Sequence, residues 1–169
     1  MRLLGAVIAG GQSRRFGSDK AVAEWHGKSL IQHVIDRLRP QVEALVVVGR
    51  VVDGEDHLAD RPAPGLGPLG GICAALHHAR TMGFDAVLTS GCDLPQLPLD
   101  LVSRLGPGPA VVAGQPLLGL WPADLADRLD DHLRTSDDRS LRRWIAATGA
   151  RSIDFGPVLN INWPGDLPA

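Results

Sequence analysis

A run of small and cationic residues stands near the start of the chain: Ala9-Gly10-Gly11-Gln12-Ser13-Arg14-Arg15-Phe16-Gly17-Ser18-Asp19-Lys20. Gly10, Gly11 and Gly17 allow backbone angles closed to other residues and let a polyphosphate approach main-chain N–H groups, while Arg14, Arg15 and Lys20 bring positive charge to the same loop. The chemistry open to such a loop is holding a phosphate chain. It is not a Walker A loop, which ends in Gly-Lys-Ser/Thr, nor a Gly-x-Gly-x-x-Gly dinucleotide fingerprint, because Gly10 and Gly11 are adjacent. A flexible turn carrying solvated arginines is the bland alternative. Asp93, in Cys92-Asp93-Leu94-Pro95, offers the single carboxylate that a hard cation such as Mg2+ takes alongside waters and phosphate oxygens. Against this stands an Asp that merely opens a turn. Asn160 and Asn162 occupy alternate positions, so in an extended backbone their amides face one side, where they can complete a metal shell or bind a substrate phosphate.

These groups need a scaffold, and the hydrophobic pattern supplies one. Leu3 to Ile8 is an apolar run with the length of a buried strand, so the glycine loop follows a strand end. Ser29 is placed to cap a helix through Arg39, with Leu30, Ile31, Val34, Ile35 and Leu38 at helical spacing and Pro40 ending it. Ala44 to Gly49 is a second buried strand, and Val51 to Gly67 a long loop partly ordered by ligand. Pro68 opens a helix to about Met82, closed by Gly83. Ala86 to Ser90 is a third strand, with Asp93 just beyond it. A short helix over 100–105, strands over 110–113 and 117–121, helices over about 123–134 and 140–148, and a strand near 152–155 complete the pattern. Repeats and dividing linkers are lacking, so residues 1–169 are expected to form a single three-layer α/β/α sandwich with a Rossmann-like, mostly parallel sheet. In such sheets ligands bind outside the carboxyl ends of the strands, which puts the glycine loop and Asp93 at one crevice.

Composition narrows the partners. The chain has 169 residues, 44% of them hydrophobic, and a formal net charge of −2 with a pI near 6.3. A nearly neutral protein with one basic loop suits a compact anion such as a nucleotide rather than a nucleic-acid groove, which calls for a basic face. The longest apolar runs are too short to cross a bilayer and no targeting segment is visible, so no membrane partner and a cytoplasmic location are expected. Cys73 and Cys92 form no C-x-x-C pair and are not matched with histidines at zinc spacing, which speaks against a disulfide framework and a structural zinc. His77 and His78, adjacent on a helix, point in different directions. A nicotinamide-dependent oxidoreductase is disfavoured, because Gly49-Arg50 stands where an acidic residue should end the second strand.

The twelve-residue run resembles the signature loop of the molybdenum cofactor guanylyltransferases, the MobA-like nucleotidyltransferases, roughly L-A-G-G-x-S-x-R-M-G-x-D-K, with Ile8 for Leu and Phe16 for Met. Asp60 followed by Gly67-Pro68-Leu69-Gly70-Gly71 is similar to that family's Asp before G-P-L-A-G, and Cys92-Asp93-Leu94-Pro95 to its C-D-x-P. Pro116-Leu117 resembles its H-P-L/T, and Asn160-Ile161-Asn162 with Asp166-Leu167 its N-x-N-T-P-E-D-L. Gln115 replaces the usual His, Trp163 the usual Thr, and the chain ends at Ala169 where some relatives continue into a helix.

The resemblance implies a Mg2+-dependent transfer of GMP from GTP to the terminal phosphate of molybdenum-bound molybdopterin, releasing pyrophosphate. Arg15 and Lys20 would neutralise the leaving phosphates, and Asp93 would hold the metal. Ile8, Ala9, Gly10, Gly11 and Asp60 would line the nucleotide pocket. Asp19, from its place beside Lys20, either orients that lysine or orders the loop or caps a helix without touching the ligand. Asn160, Asn162 and Gln115 are acceptor or metal-shell candidates. Ala9-Gly10-Gly11 matches the L-A-G-G of guanine-selective members rather than the L-A-A-G of cytosine-selective ones. Molybdenum-cofactor pathway proteins would be transient partners. Other readings stay open: a cytidylyltransferase for the same pterin, a guanylyltransferase for another phosphorylated acceptor, and a nucleotide-binding regulator without turnover. The Gly67–Gly71 segment either offers helix-start amides to an anion or simply packs helix against sheet.

Overall fold

The computed structural model describes residues 1–10 and 21–158. The expectations for Gly11, Arg14, Arg15, Asp19 and Lys20, and for Asn160 and Asn162, lie outside the described residues.

The chain opens with β1 (Leu3–Ile8), every residue of which is buried. A small hairpin of β2 (Glu24–Trp25) and β3 (Lys28–Ser29) leads into α1 (Leu30–Leu38). Ser29 caps α1 by accepting from the Gln32 N–H at 3.3 Å, and Pro40 falls in the 3-10 turn that follows. Next come β4 (Ala44–Val48), β5 (Asp56–Leu58) and α2 (Pro68–Thr81). The second half runs through β6 (Ala86–Gly91), α3 (Leu101–Leu105), β7 (Ala110–Val112), β8 (Gln115–Pro122), α4 (Ala126–Thr135), α5 (Leu141–Thr148) and β9 (Arg151–Ile153).

Among the described residues seven strands form one sheet in the order β5-β4-β1-β6-β8-β7-β9. The neighbours are parallel except at β8, which runs antiparallel to both β6 and β7. Alternate residues of each strand enter opposite cores. Leu4, Ala6, Ile8, Val46 and Val48 pack with α2, α4 and Trp144 of α5. Leu3, Val7, Leu45 and Val47 pack with Ile31, Val34 and Ile35 of α1 and Leu101 and Leu105 of α3. The result is the expected three-layer α/β/α sandwich with a mostly parallel, Rossmann-like sheet. Each fully buried aliphatic side chain adds roughly 1.5–3 kcal/mol of burial, so this two-sided core holds the strand ends in fixed register.

Two features depart from the sequence reading. The segment after β4 is not wholly loop: Asp56–Leu58 adds to the sheet edge as β5, parallel to β4. The β2–β3 hairpin was not expected. Its turn, His26-Gly27, has both φ values positive at 50° and 77°, the pattern of a tight hairpin turn.

Candidate functional site

Register decides what meets at the carboxyl edge of the sheet. Ile8 is level with Val48 on one side and Gly91 on the other, so β1, β4 and β6 end together. The antiparallel β8 begins at this same edge. A cavity of about 250 Å³ opens there, lined by Ile8, Gly10, Asp60, Gly67, Pro68 and Leu117.

Close backbone approach shapes its floor. The Ala9 N–H donates to the Val48 carbonyl at 2.9 Å, extending the β1–β4 ladder past the strand end, and the Gly49 N–H donates to Leu58 at 2.9 Å. Gly49, at φ 84°, lies so near Gly10 that a Cβ on it would sit 2.8 Å from the Gly10 Cα. The Ala9 side chain turns away into the α1-side core. The Ala21 carbonyl accepts from Ile31 at 3.1 Å, so the residues flanking 11–20 are tied to β4 and α1.

The wall is the start of α2. Gly67, at φ 68°, turns the chain and Pro68 occupies the first turn, where its missing N–H costs nothing. A Cβ on Gly71 would lie 2.9 Å from Ile8 Cγ2, and one on Gly70 3.3 Å from Asp60 Cβ. Of the two roles considered for this segment, Gly70 and Gly71 therefore serve packing: they let the helix rest on β1 and on the Asp60 loop. Gly67 and Pro68 face the cavity itself. The Arg61 N–H donates to the Gly70 carbonyl at 3.0 Å, which holds Asp60 against the helix start. Burial raises the Asp60 carboxyl above its ordinary range.

Asp93 stands two residues past the end of β6, half-buried. A Cβ on Gly91 would fall 2.8 Å from Asp93 Oδ1 and 3.2 Å from Leu117 Cδ2. The missing side chain at Gly91 is thus the space that the carboxylate occupies beside Leu117, a residue of the cavity wall. One carboxylate at a strand end, next to a cavity sized for a nucleotide fragment, fits an Mg2+ ion that keeps waters and takes phosphate oxygens for the rest of its shell. Leu117 is fixed in turn by Thr89, whose hydroxyl donates to the Leu117 carbonyl at 2.8 Å and accepts from Trp121 Nε1 at 3.2 Å. Gln115 begins β8, two residues before Leu117 and at the same edge.

Ile8, Gly10 and Asp60 are thus brought to one cavity, with Asp93 and Gln115 on its β6–β8 side. The contributions of Gly49, Gly91 and Leu117 were not assigned from sequence. The glycines carry no chemistry of their own, and only strand pairing shows what approaches them; Leu117 had a signal in its place beside Pro116.

The MobA-like NTP transferase domain profile matches residues 5–152 of the chain. The chain belongs to that family. A Rhodobacter capsulatus protein named molybdenum cofactor guanylyltransferase is 38% identical, over 99% of this chain and 94% of its own length. A namesake from Sinorhizobium fredii is 37% identical, over 95% and 87%. The crystal structure of molybdopterin-guanine dinucleotide biosynthesis protein A from Archaeoglobus fulgidus superposes with a TM-score of 0.72 at 24% identity, covering 97% of this chain and 94% of that one. It has the same fold as this MobA-like domain. Among the described residues, no helix is long and apolar enough to cross a membrane.

Proposed function

We propose that this MobA-like chain, acting as one unit over residues 1–169 in the cytoplasm, transfers GMP from GTP to the terminal phosphate of molybdenum-bound molybdopterin. An acceptor phosphate oxygen forms the new bond to the α-phosphorus, the bond from that phosphorus to the β-phosphate bridge oxygen breaks, and pyrophosphate leaves. The observation that carries this reading is the convergence of three separate motif segments on one cavity: Gly10 from the glycine loop, Asp60, and the Gly67-Pro68 helix start. Near-full-length identity to proteins named molybdenum cofactor guanylyltransferase supports the choice of substrates.

The acceptor phosphate is already ionised near neutrality, so alignment and charge neutralisation carry the reaction without a dedicated general base. Ile8, Ala9, Gly10, Gly11 and Asp60 receive the nucleoside, and glycine at position 10 leaves room for the base edge. Arg15 and Lys20 neutralise the β and γ phosphates. Asp93 holds Mg2+, which supplies Lewis-acid polarisation of the phosphate oxygens when bound. Asn160, Asn162 and Gln115 are assigned to the acceptor or the outer part of the metal shell.

Pyrophosphate release measured with each nucleoside triphosphate, with and without the molybdenum cofactor and Mg2+, tests the reading. GTP should be preferred over CTP by about a hundredfold or more, because a pocket that hydrogen-bonds one base leaves its polar groups unpaired with another. Faster release with CTP overturns the guanylyl assignment, and no release with any triphosphate overturns the transferase one.

A further inference from the structure

Away from the cavity, α2 and α4 meet at a cluster that the nucleotide site does not use. One ligand atom from each of Cys73, His77 and Asp130 lies within 4.8 Å of the other two. Cys73 and His77 are four residues apart on α2 and share a helix face, while Asp130 reaches across from α4. Cys73 Sγ is 3.8 Å from Asp130 Oδ1, and His77 Nε2 is 4.0 Å from the same oxygen. Cys73 is fully buried, and the side chains of His77 and Asp130 are only 13% and 16% exposed. His77 Nε2 is buried with no hydrogen-bond partner, a condition that native structures seldom leave unexplained. Arg134 Nε holds Asp130 Oδ2 at 2.7 Å, which leaves Oδ1 directed at the sulfur and the imidazole.

We propose that Cys73, His77 and Asp130 bind a thiophilic divalent cation, with Zn2+ the ion that fits, at a site separate from the nucleotide cavity. Zinc bonds of about 2.3 Å to sulfur and about 2.0–2.1 Å to nitrogen and oxygen put tetrahedral ligand atoms roughly 3.3–3.5 Å apart. The separations of 3.8 and 4.0 Å exceed that by about 0.3–0.7 Å and the sulfur–imidazole separation, within 4.8 Å, by at most about 1.3 Å, so binding draws the three side chains together through rotamer changes of that size. Three protein ligands leave a fourth position for water. Thiolate and imidazole select against Mg2+, so the site does not compete with a carboxylate site at Asp93.

Charge and protons balance. Burial, reinforced by neighbouring Asp130, pushes the Cys73 thiol up to about 12, so it is a neutral thiol until a cation displaces its proton to solvent. Thiolate and carboxylate then match the two charges of the ion. Arg80 donates to His77 Nδ1 at 3.4 Å, which puts the ring proton on Nε2. Binding shifts that proton to Nδ1, and Arg80 falls back on Asp127, to which it already makes bonds of 2.7 and 2.8 Å. Arg61, 4.0 Å from Asp130 Oδ1 and half exposed, withdraws into solvent.

Co2+ titration of the metal-stripped full chain tests the site without reference to activity. The expected result is a thiolate-to-cobalt charge-transfer band with the visible bands of a tetrahedral ion, saturating at one ion per chain, displaced by Zn2+ and unaffected by excess Mg2+. Cys73→Ser should abolish the charge-transfer band and Cys92→Ser should retain it. His77→Gln, which keeps both sulfurs and a polar side chain, should lower Co2+ affinity by about tenfold or more. Absence of the band in the unmodified protein, its persistence in Cys73→Ser, or unchanged affinity in a folded His77→Gln protein overturns the proposal.

Discussion

Gly10 and Gly49 touch across the ends of β1 and β4: a Cβ on Gly49 would lie 2.8 Å from the Gly10 Cα and 2.9 Å from its nitrogen, and Gly49 sits at φ 84°. The reverse contact is ordinary, since among the described residues a Cβ on Gly10 would meet nothing nearer than Gly49 Cα at 3.8 Å. The pair is therefore asymmetric. Gly49→Ala should cost about 1–3 kcal/mol of stability through backbone strain and collision, whereas Gly10→Ala should fold normally and lose nucleotide affinity because its methyl enters the cavity. Chemical denaturation and GTP titration of both variants check this; equal stability losses would contradict the asymmetry.

Asp93→Asn keeps the side-chain shape beside Gly91 and Leu117 while removing the charge proposed to hold Mg2+. Turnover should fall about a thousandfold, equivalent to about 4 kcal/mol in the barrier, with the melting temperature little changed. Near-normal Mg2+-dependent pyrophosphate release in the variant would show that the metal is held elsewhere.

Asp60 links stability to pH in a definite direction. Burial raises its carboxyl above the ordinary range, so the folded chain binds that proton more tightly than the unfolded chain. The Asp60 contribution to stability is therefore greatest below the unfolded pKa and declines as pH rises through the raised folded value. Asp60→Asn should remove this decline, making the variant the more stable protein at neutral pH but not in strong acid, while weakening GTP binding. Denaturation curves at several pH values measure it, and a variant less stable at neutral pH contradicts the burial account.

Thr89→Val exchanges a buried hydroxyl for a methyl group. Trp121 Nε1 then loses its acceptor and the Leu117 carbonyl its donor. A loss of about 1–3 kcal/mol is expected from the unsatisfied groups. Thr89→Ser, which keeps the hydroxyl, should recover most of it. Failure of the serine variant to recover stability would point to the methyl group and packing instead.

Much of this protein was written in its local pattern. The apolar runs Leu3–Ile8 and Ala44–Val48, and the segment Ala86–Gly91 with its buried Thr89 and Ser90, give three parallel strands because both their faces must be buried. Ser29 and Pro68 mark helix starts through capping and a fixed φ, which are effects within a few residues. Membership of the MobA-like family was legible for the same reason: its motifs are residue types at short spacing.

Tertiary structure decided what short spacing cannot express. Asp56–Leu58 becomes a strand only because the edge of β4 is there to pair with it. Leu117 reaches the cavity because β8 runs antiparallel between β6 and β7, a register that pairing of distant segments sets. The glycines at 49, 70, 71 and 91 look alike in sequence, and only the atoms packed against each one distinguish a backbone contact from a helix seat or a place for a carboxylate. Cys73, His77 and Asp130 escape a search for paired cysteines because their third member lies 57 residues beyond Cys73 and arrives on another helix. Helical spacing brings the first two together, and the packing of α4 on α2, driven by burial of their apolar faces, brings the third.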